Sequence, residues 1–188
     1  MSKASDAVTF FNQFVKNPRQ LGSVIPSSRF LIERIINNAR LTSAKVVVEL
    51  GPGNGGTTRG FLAAMKPTSR LLSIELNEDL HELSGNLDDH RCIAHHGNAA
   101  DLPEILRHYG LGAPEVIISG IPFSTMAPDL GSLIIENIYR QLAPNGRFVA
   151  YQVSSQVDKL NTFFGDNKSI EIEFLNIPPI RVWCWQKS

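Results

Sequence analysis

The sequence predicts an α/β domain built on a mostly parallel sheet, and three observations carry that reading. Val46-Val47-Val48-Glu49-Leu50 is a β-branched run that stops in a glycine cluster, Gly51-Pro52-Gly53-Asn54-Gly55-Gly56, with a helix-compatible stretch directly behind it. Strand, tight turn and helix in that succession open a nucleotide-binding crossover. From residue 45 onward, apolar runs of strand length alternate with segments of helical period, which implies a parallel sheet. The end of the chain breaks that rhythm. Ile170-Glu171-Ile172-Glu173-Phe174 and Arg181-Val182-Trp183-Cys184-Trp185 alternate in polarity about the turn Asn176-Ile177-Pro178-Pro179, so an antiparallel pair is expected to close the sheet.

Residues 5–16 read as an amphipathic helix, with Val8, Phe11, Phe14 and Val15 at helical spacing and Phe10 beside them. Two readings of it stand. The helix packs on the domain's own core, or it lies at a lipid headgroup boundary, which three Phe flanked by Lys3, Lys16 and Arg19 would suit. Pro18 ends it. A loop over 20–28 leads into a second helix at 28–39, with serine for its N-cap and Phe30, Leu31, Ile32, Ile35 and Ile36 as its buried face. Gly22 and Ser23 in that loop either touch a ligand or only connect. Strands are predicted at 45–50, 70–76, 91–96, 115–120 and 146–153, and helices at 56–66, 78–85, 102–109, 129–142 and 155–164.

At 188 residues the chain is one domain's worth, and 43% hydrophobic with 19% charged residues is ordinary for a soluble globule. No apolar run approaches the roughly 18 residues of a membrane span, and no signal peptide opens the chain. Cys92 and Cys184 form no metal or redox motif, so an intracellular, reduced protein is expected. The net charge of zero is unevenly spread. The first 40 residues hold six Lys or Arg against two acids, and the remainder holds 12 against 16. A basic N-terminal segment on a neutral body fits an anionic surface better than it fits a nucleic-acid enzyme, which is more often basic throughout.

The glycines of the first turn permit positive φ and close approach of a ligand to the backbone. Gly51, Gly53 and Gly56 also satisfy the dinucleotide pattern, so a nicotinamide enzyme is the alternative. Glu49 stands two residues before the first glycine, and Pro52 removes an amide that a pyrophosphate would use. The stretch resembles motif I of the class I S-adenosylmethionine-dependent methyltransferases. That resemblance implies a Rossmann-like seven-stranded sheet of order 3-2-1-4-5-7-6 roofed by two N-terminal helices. It also implies S-adenosyl-L-methionine as cofactor, touched by Glu49, Gly51, Gly53 and Gly55. Glu75, 24 residues after Gly51, is placed at a strand end to accept both ribose hydroxyls, with Leu76 next to it. Asn98 and Ala99 stand where such enzymes hold the adenine; a helix cap is the other reading of Asn98. Asp101 is expected to cap the helix that follows, and Asp88-Asp89 to form a solvated turn. The five histidines make no metal site.

Ser119-Gly120-Ile121-Pro122-Phe123 occupies the position of motif IV, where nitrogen-directed methyltransferases carry a short Pro-containing loop ending in an aromatic. Ser119 is expected against the cofactor. Gly120, Ile121, Pro122 and Phe123 are expected on the acceptor, with the Gly120 and Ile121 carbonyls aiming an amine and Phe123 closing the pocket. The ribosomal RNA adenine dimethylases have Asn-Leu-Pro-Tyr or similar here. Gly120 replaces their Asn, so the amide oxygen that would hold an adenine amino group is missing, which counts against nucleic acid as substrate.

Four segments together resemble the bacterial phospholipid N-methyltransferases, relatives of those dimethylases. They are Phe10-Phe11 through Pro18 to Gly22-Ser23-Val24-Ile25-Pro26-Ser27-Ser28, motif I, the Gly-Ile-Pro-Phe loop, and Asn176-Ile177-Pro178-Pro179 with Val182-Trp183. The likeness runs nearly end to end. It implies stepwise methylation of phosphatidylethanolamine toward phosphatidylcholine, with residues 5–19 on an anionic membrane surface and the protein cytoplasmic, peripheral at the inner membrane face. Residues 1–40 would be a helical lid and 41–188 the core of a single domain, with the two cysteines on separated strands. An RNA-base or soluble-amine methyltransferase is the alternative, and a cofactor-binding module without catalysis is the third.

Overall fold

A computed structural model describes residues 27–85, 87–176 and 178–188. The predicted helix at 5–16 and Gly22 and Ser23 lie outside the described residues, as does Ile177 in the last turn. Within them the elements run α1 (Arg29–Ala39), β1 (Val46–Leu50), α2 (Gly56–Ala64), β2 (Arg70–Glu75), α3 (Glu78–Gly85), β3 (Cys92–His96), α4 (Leu102–His108), β4 (Val116–Ser119), α5 (Pro128–Gln141), β5 (Arg147–Gln152), α6 (Gln156–Leu160), β6 (Lys168–Glu173) and β7 (Ile180–Gln186). One sheet takes all seven strands in the order β3-β2-β1-β4-β5-β7-β6. The first five pair in parallel, and β7 is antiparallel to both β5 and β6. The order expected from motif I is the order found.

The period of two along each strand divides the core into two layers. Val48, Leu50, Phe148 and Ala150 face α4, α5 and α6, where Ile105, Ile134 and Leu160 are buried. Val47 and Val149 face α1 and α2, against Leu31, Ile35 and Phe61. Trp183 and Trp185 of β7 enter the first layer, and Trp185 stacks on Phe148 with ring centroids 5.2 Å apart. Cys92 and Cys184, on β3 and β7, are free thiols.

Helix α1 is fixed at both ends. The Ser28 hydroxyl accepts the Leu31 amide at 3.2 Å, and the Ser28 amide donates to Asn176 Oδ1 at 3.0 Å. At its other end the Asn38 carbonyl accepts from Arg147 Nη1, at the start of β5. Arg34, between them, binds Glu173 at 3.0 Å and also Glu171 on the edge strand β6. The helix therefore runs antiparallel to the parallel strands, with its N-terminus at their C-terminal end, where ligands bind in open α/β sheets.

Two predicted boundaries are corrected. The helix expected over 155–164 ends at Leu160. Asn161 Oδ1 accepts the amides of Phe163 and Phe164, which turns the chain and sends Phe164 into the core. β6 begins at Lys168, two residues before its apolar alternation. At the turn predicted over Asp88-Asp89, Asp88 is exposed, while half-buried Asp89 binds Arg91 through Nε and Nη2, and that guanidinium holds its carboxyl down at about 2. No described helix is long and apolar enough to cross a membrane.

Candidate cofactor and acceptor site

The site is assembled where β1, β2, β4 and β5 end. After Leu50 the chain turns through Gly51, Gly53 and Gly55, with φ of 72°, 60° and 78°, a region that side chains other than glycine rarely adopt. The three glycines have different surroundings. A Cβ on Gly51 would stand 3.2 Å from Ile121, and one on Gly55 would stand 3.2 Å from Ser84 of α3. A Cβ on Gly53 would meet nothing within 4 Å. Gly51 and Gly55 are thus pressed against other parts of the chain, and Gly53 presents bare backbone to open space.

Two acids hold this loop, one from below and one from the side. Glu49 is fully buried and takes the Thr57 hydroxyl at 2.6 Å and the Thr58 hydroxyl at 2.7 Å, both in the first turn of α2. Burial pushes its carboxyl up to about 7, against the two threonines, which pull it down. Glu75, at the end of β2, accepts the Gly53 amide on one oxygen at 3.1 Å and the Asn77 amide on the other at 3.0 Å. Burial raises its pKa, and the Asn77 and Gly53 amides restrain the rise. Each Glu75 oxygen keeps a second lone pair, which suits a diol.

Leu76 contributes its carbonyl to the far wall, 3.0 Å from His96 Nε2, and the His96 ring stacks on His81 at 5.5 Å. Asn98 behaves as a cap: its Oδ1 accepts the Ala100 amide at 2.9 Å, with Ala99 buried beside it. Asp101 precedes α4 but makes no side-chain cap bond, because Asn98 has already turned the chain there.

The second loop leaves β4. Ser119 Oγ accepts the Ile121 amide at 3.3 Å. The Ile121 carbonyl bends back to accept the Phe123 amide at 3.0 Å, so it is not held outward as expected from the Pro motif. Pro122 offers its own carbonyl to Thr125, and the Phe123 ring is swallowed into the core near Gly131. A Cβ on Gly120 would come within 2.5 Å of the Tyr151 hydroxyl and 3.0 Å of the Gly51 carbonyl. Position 120 therefore has no room for a side chain, and the two loops touch through Gly51, Gly120 and Ile121.

Of the residues predicted for the cofactor, Gly53, Glu75, Leu76, Asn98 and Ala99 stand at or just after the C-terminal ends of β1, β2 and β3, and Glu75 bonds the Gly53 amide. Glu49, Gly55 and Ser119 lie behind them as supports. Tyr151 escaped the sequence reading, although a polar pair, Tyr151-Gln152, ending an apolar strand at the ligand end of the sheet was a usable signal. An open glycine face beside a buried carboxylate with spare lone pairs fits an adenosyl ribose.

The family description "Ribosomal RNA adenine dimethylase" matches residues 15–98. The chain is 28% identical over 181 residues to the ornithine lipid N-methyltransferase of Singulisphaera acidiphila, covering 93% of this chain and 92% of that protein. It is 30% identical over 108 residues to the ribosomal RNA small subunit methyltransferase A of a Synechococcus species, but spans only 37% of that protein's length. Among solved structures, the O-methyltransferase TomG from Streptomyces achromogenes, in complex with S-adenosylmethionine, superposes with a TM-score of 0.68 at 15% identity over 100% of both chains.

Proposed function

We propose that this chain, a class I S-adenosylmethionine-dependent methyltransferase, methylates the primary amine of a membrane lipid headgroup, with phosphatidylethanolamine as the predicted acceptor. The observation that carries the reading is the end-to-end likeness to a lipid N-methyltransferase, against partial likeness to the longer RNA enzyme. Two features of the site support it. Gly120 leaves no side-chain amide on the acceptor loop, and Tyr151 fills the space one would need. Val153, Phe174 and Leu175 are 50%, 72% and 64% exposed at the end of the sheet where the acceptor loop lies, an apolar rim suited to a bilayer.

When bound, S-adenosylmethionine supplies a methyl group on a positively charged sulfur, a leaving group that needs no protonation. The chain's own task is then alignment and exclusion of water. Glu75 and the Gly53 backbone hold the ribose, and Asn98 and Ala99 the adenine. The Gly120 carbonyl, beside the first loop, faces the incoming amine and orients its N–H. The neutral amine attacks in line, and solvent takes its proton.

The test is transfer of labelled methyl from S-adenosylmethionine to vesicles of phosphatidylethanolamine plus anionic lipid, with ornithine lipid vesicles, RNA and soluble amines as parallel acceptors. Label in mono-, di- and trimethylated phosphatidylethanolamine, reduced at least tenfold on replacing Phe10, Phe11 and Phe14 together by Ser, is the expected result. Label confined to ornithine lipid would correct the headgroup. Label confined to RNA or a soluble amine would refute the lipid reading.

A further inference from the structure

Gln152 is the last residue of β5 and is 8% exposed, yet neither its Nε2 nor its Oε1 has a hydrogen-bond partner. Buried side-chain amides are normally satisfied, so one idle at both ends needs an explanation. Its place in the fold supplies one. Ala150 of β5 pairs with Ser119 of β4, so Gln152 lies two residues further toward the ligand end, level with the loop that follows Ser119. The preceding residue, Tyr151, already touches that loop at Gly120. By alternation Gln152 shares the face of Ala150, which is buried with Phe123 and Trp183. The indole N–H of Trp183, paired with Ala150, is also buried without a partner. Trp185 has an idle N–H too, but it pairs with Phe148, further from the ligand end.

We propose that the Gln152 amide is the acceptor-binding group of this enzyme, its Oε1 accepting an N–H of the substrate amine and its Nε2, with the Trp183 indole, donating to an anionic oxygen of the same headgroup. The assignment rests on the methyltransferase reading and names a contact within it. It supplies from the strand the side-chain amide that Gly120 cannot carry. In the transfer, the nitrogen forms its bond to the methyl carbon as the carbon–sulfur bond breaks, and the proton leaves to solvent. Gln152 takes up no proton at any stage; it fixes the lone pair's direction.

The test compares Q152L and Q152E with the parent chain, using whichever member of the vesicle, RNA and soluble-amine panel takes label. For Q152L the assignment requires S-adenosylmethionine affinity by calorimetry within about twofold of the parent and an unlowered unfolding midpoint. The acceptor kcat/KM must fall at least tenfold, the loss expected when one hydrogen bond to a bound group is removed. Q152E, which holds the amine as ammonium, should lower acceptor KM and displace the pH-rate profile to higher pH. An acceptor kcat/KM within twofold of the parent in Q152L would overturn the proposal, as would a loss shared equally by cofactor affinity. A panel in which only RNA or a soluble amine reacts refutes the lipid reading but leaves this ratio to judge Gln152. Should nothing take label, the S-adenosylhomocysteine complex is titrated with phosphatidylethanolamine and phosphatidylcholine vesicles. Equal preference in Q152L and the parent then overturns it.

Discussion

Replacing Glu49 by Gln tests the acid beneath the glycine loop. Its carboxyl is fully enclosed, and burial pushes its pKa to about 7 from the ordinary 4.5. The folded state therefore holds this proton more tightly than the unfolded chain does. Between pH 4.5 and 7 the unfolded chain has lost the proton and the folded one keeps it, so stability falls as pH rises through that window and levels off above it. At about 1.4 kcal/mol per unit, the fall is about 3 kcal/mol. Glutamine does not titrate, and its amide can both accept from and donate to the Thr57 and Thr58 hydroxyls. The stability of E49Q relative to the parent should therefore rise by about 3 kcal/mol between pH 4.5 and 8, roughly 6–12 °C in unfolding midpoint for a chain of this size. Urea unfolding followed by circular dichroism at several pH values, without cofactor, measures the difference. Contributions common to both proteins cancel, except the repulsion between Glu49 and Glu75, which is part of the Glu49 shift itself. A difference that stays flat across the window, or that favours the parent at high pH, refutes the assignment of a protonated acid under the loop.

Gly53→Val should leave the protein folded, with a loss of about 1–2 kcal/mol from its φ of 60°, because no atom lies within 4 Å of the new Cβ. S-adenosylmethionine affinity should fall at least a hundredfold by calorimetry, and retained affinity would put the ligand elsewhere. Gly120→Ala drives a Cβ to 2.5 Å from the Tyr151 hydroxyl, so transfer should fall steeply and stability by about 1–3 kcal/mol. Adding Tyr151→Phe removes the nearest atom and should restore part of both; a double variant no better than G120A would show that the remaining ring carbon at 2.9 Å and the Gly51 carbonyl at 3.0 Å are the real obstacles.

The fold was legible because its signals are local. A β-branched run stopping in glycines, a period that switches between two and 3.6, and a C-terminal alternation each predict their element without long-range knowledge. Glu75 and Gly53 fall together where the sequence placed them, at neighbouring strand ends of a parallel sheet. The acceptor loop was harder. The Pro motif put the loop over 120–123 after β4, where it lies, but the direction of the Ile121 carbonyl and the depth of Phe123 are decided by packing against Gly131 and α5, which no spacing in the sequence encodes. Asn98 and Asp101 competed for one capping task, and only the backbone geometry chose Asn98. Gln152 could be located from the polar pair that ends its strand, but not singled out. Its significance lies in bonds it does not make, and those are counted only after the strands are set side by side.

The anchoring of α1 has a consequence for the chain that precedes it. Ser28 is pinned to Asn176 beyond the end of β6, and Arg34 to Glu173. The polypeptide upstream of Ser27 therefore joins the domain at the same rim as the two loops of the site. A chain attached there can reach no further from the rim than about 3.5 Å for each residue. Any surface it grips is kept at high local concentration over the acceptor loop, as the second arm of a bivalent contact is. Weak adhesion by that segment would then suffice, since the two attachments need not each hold alone.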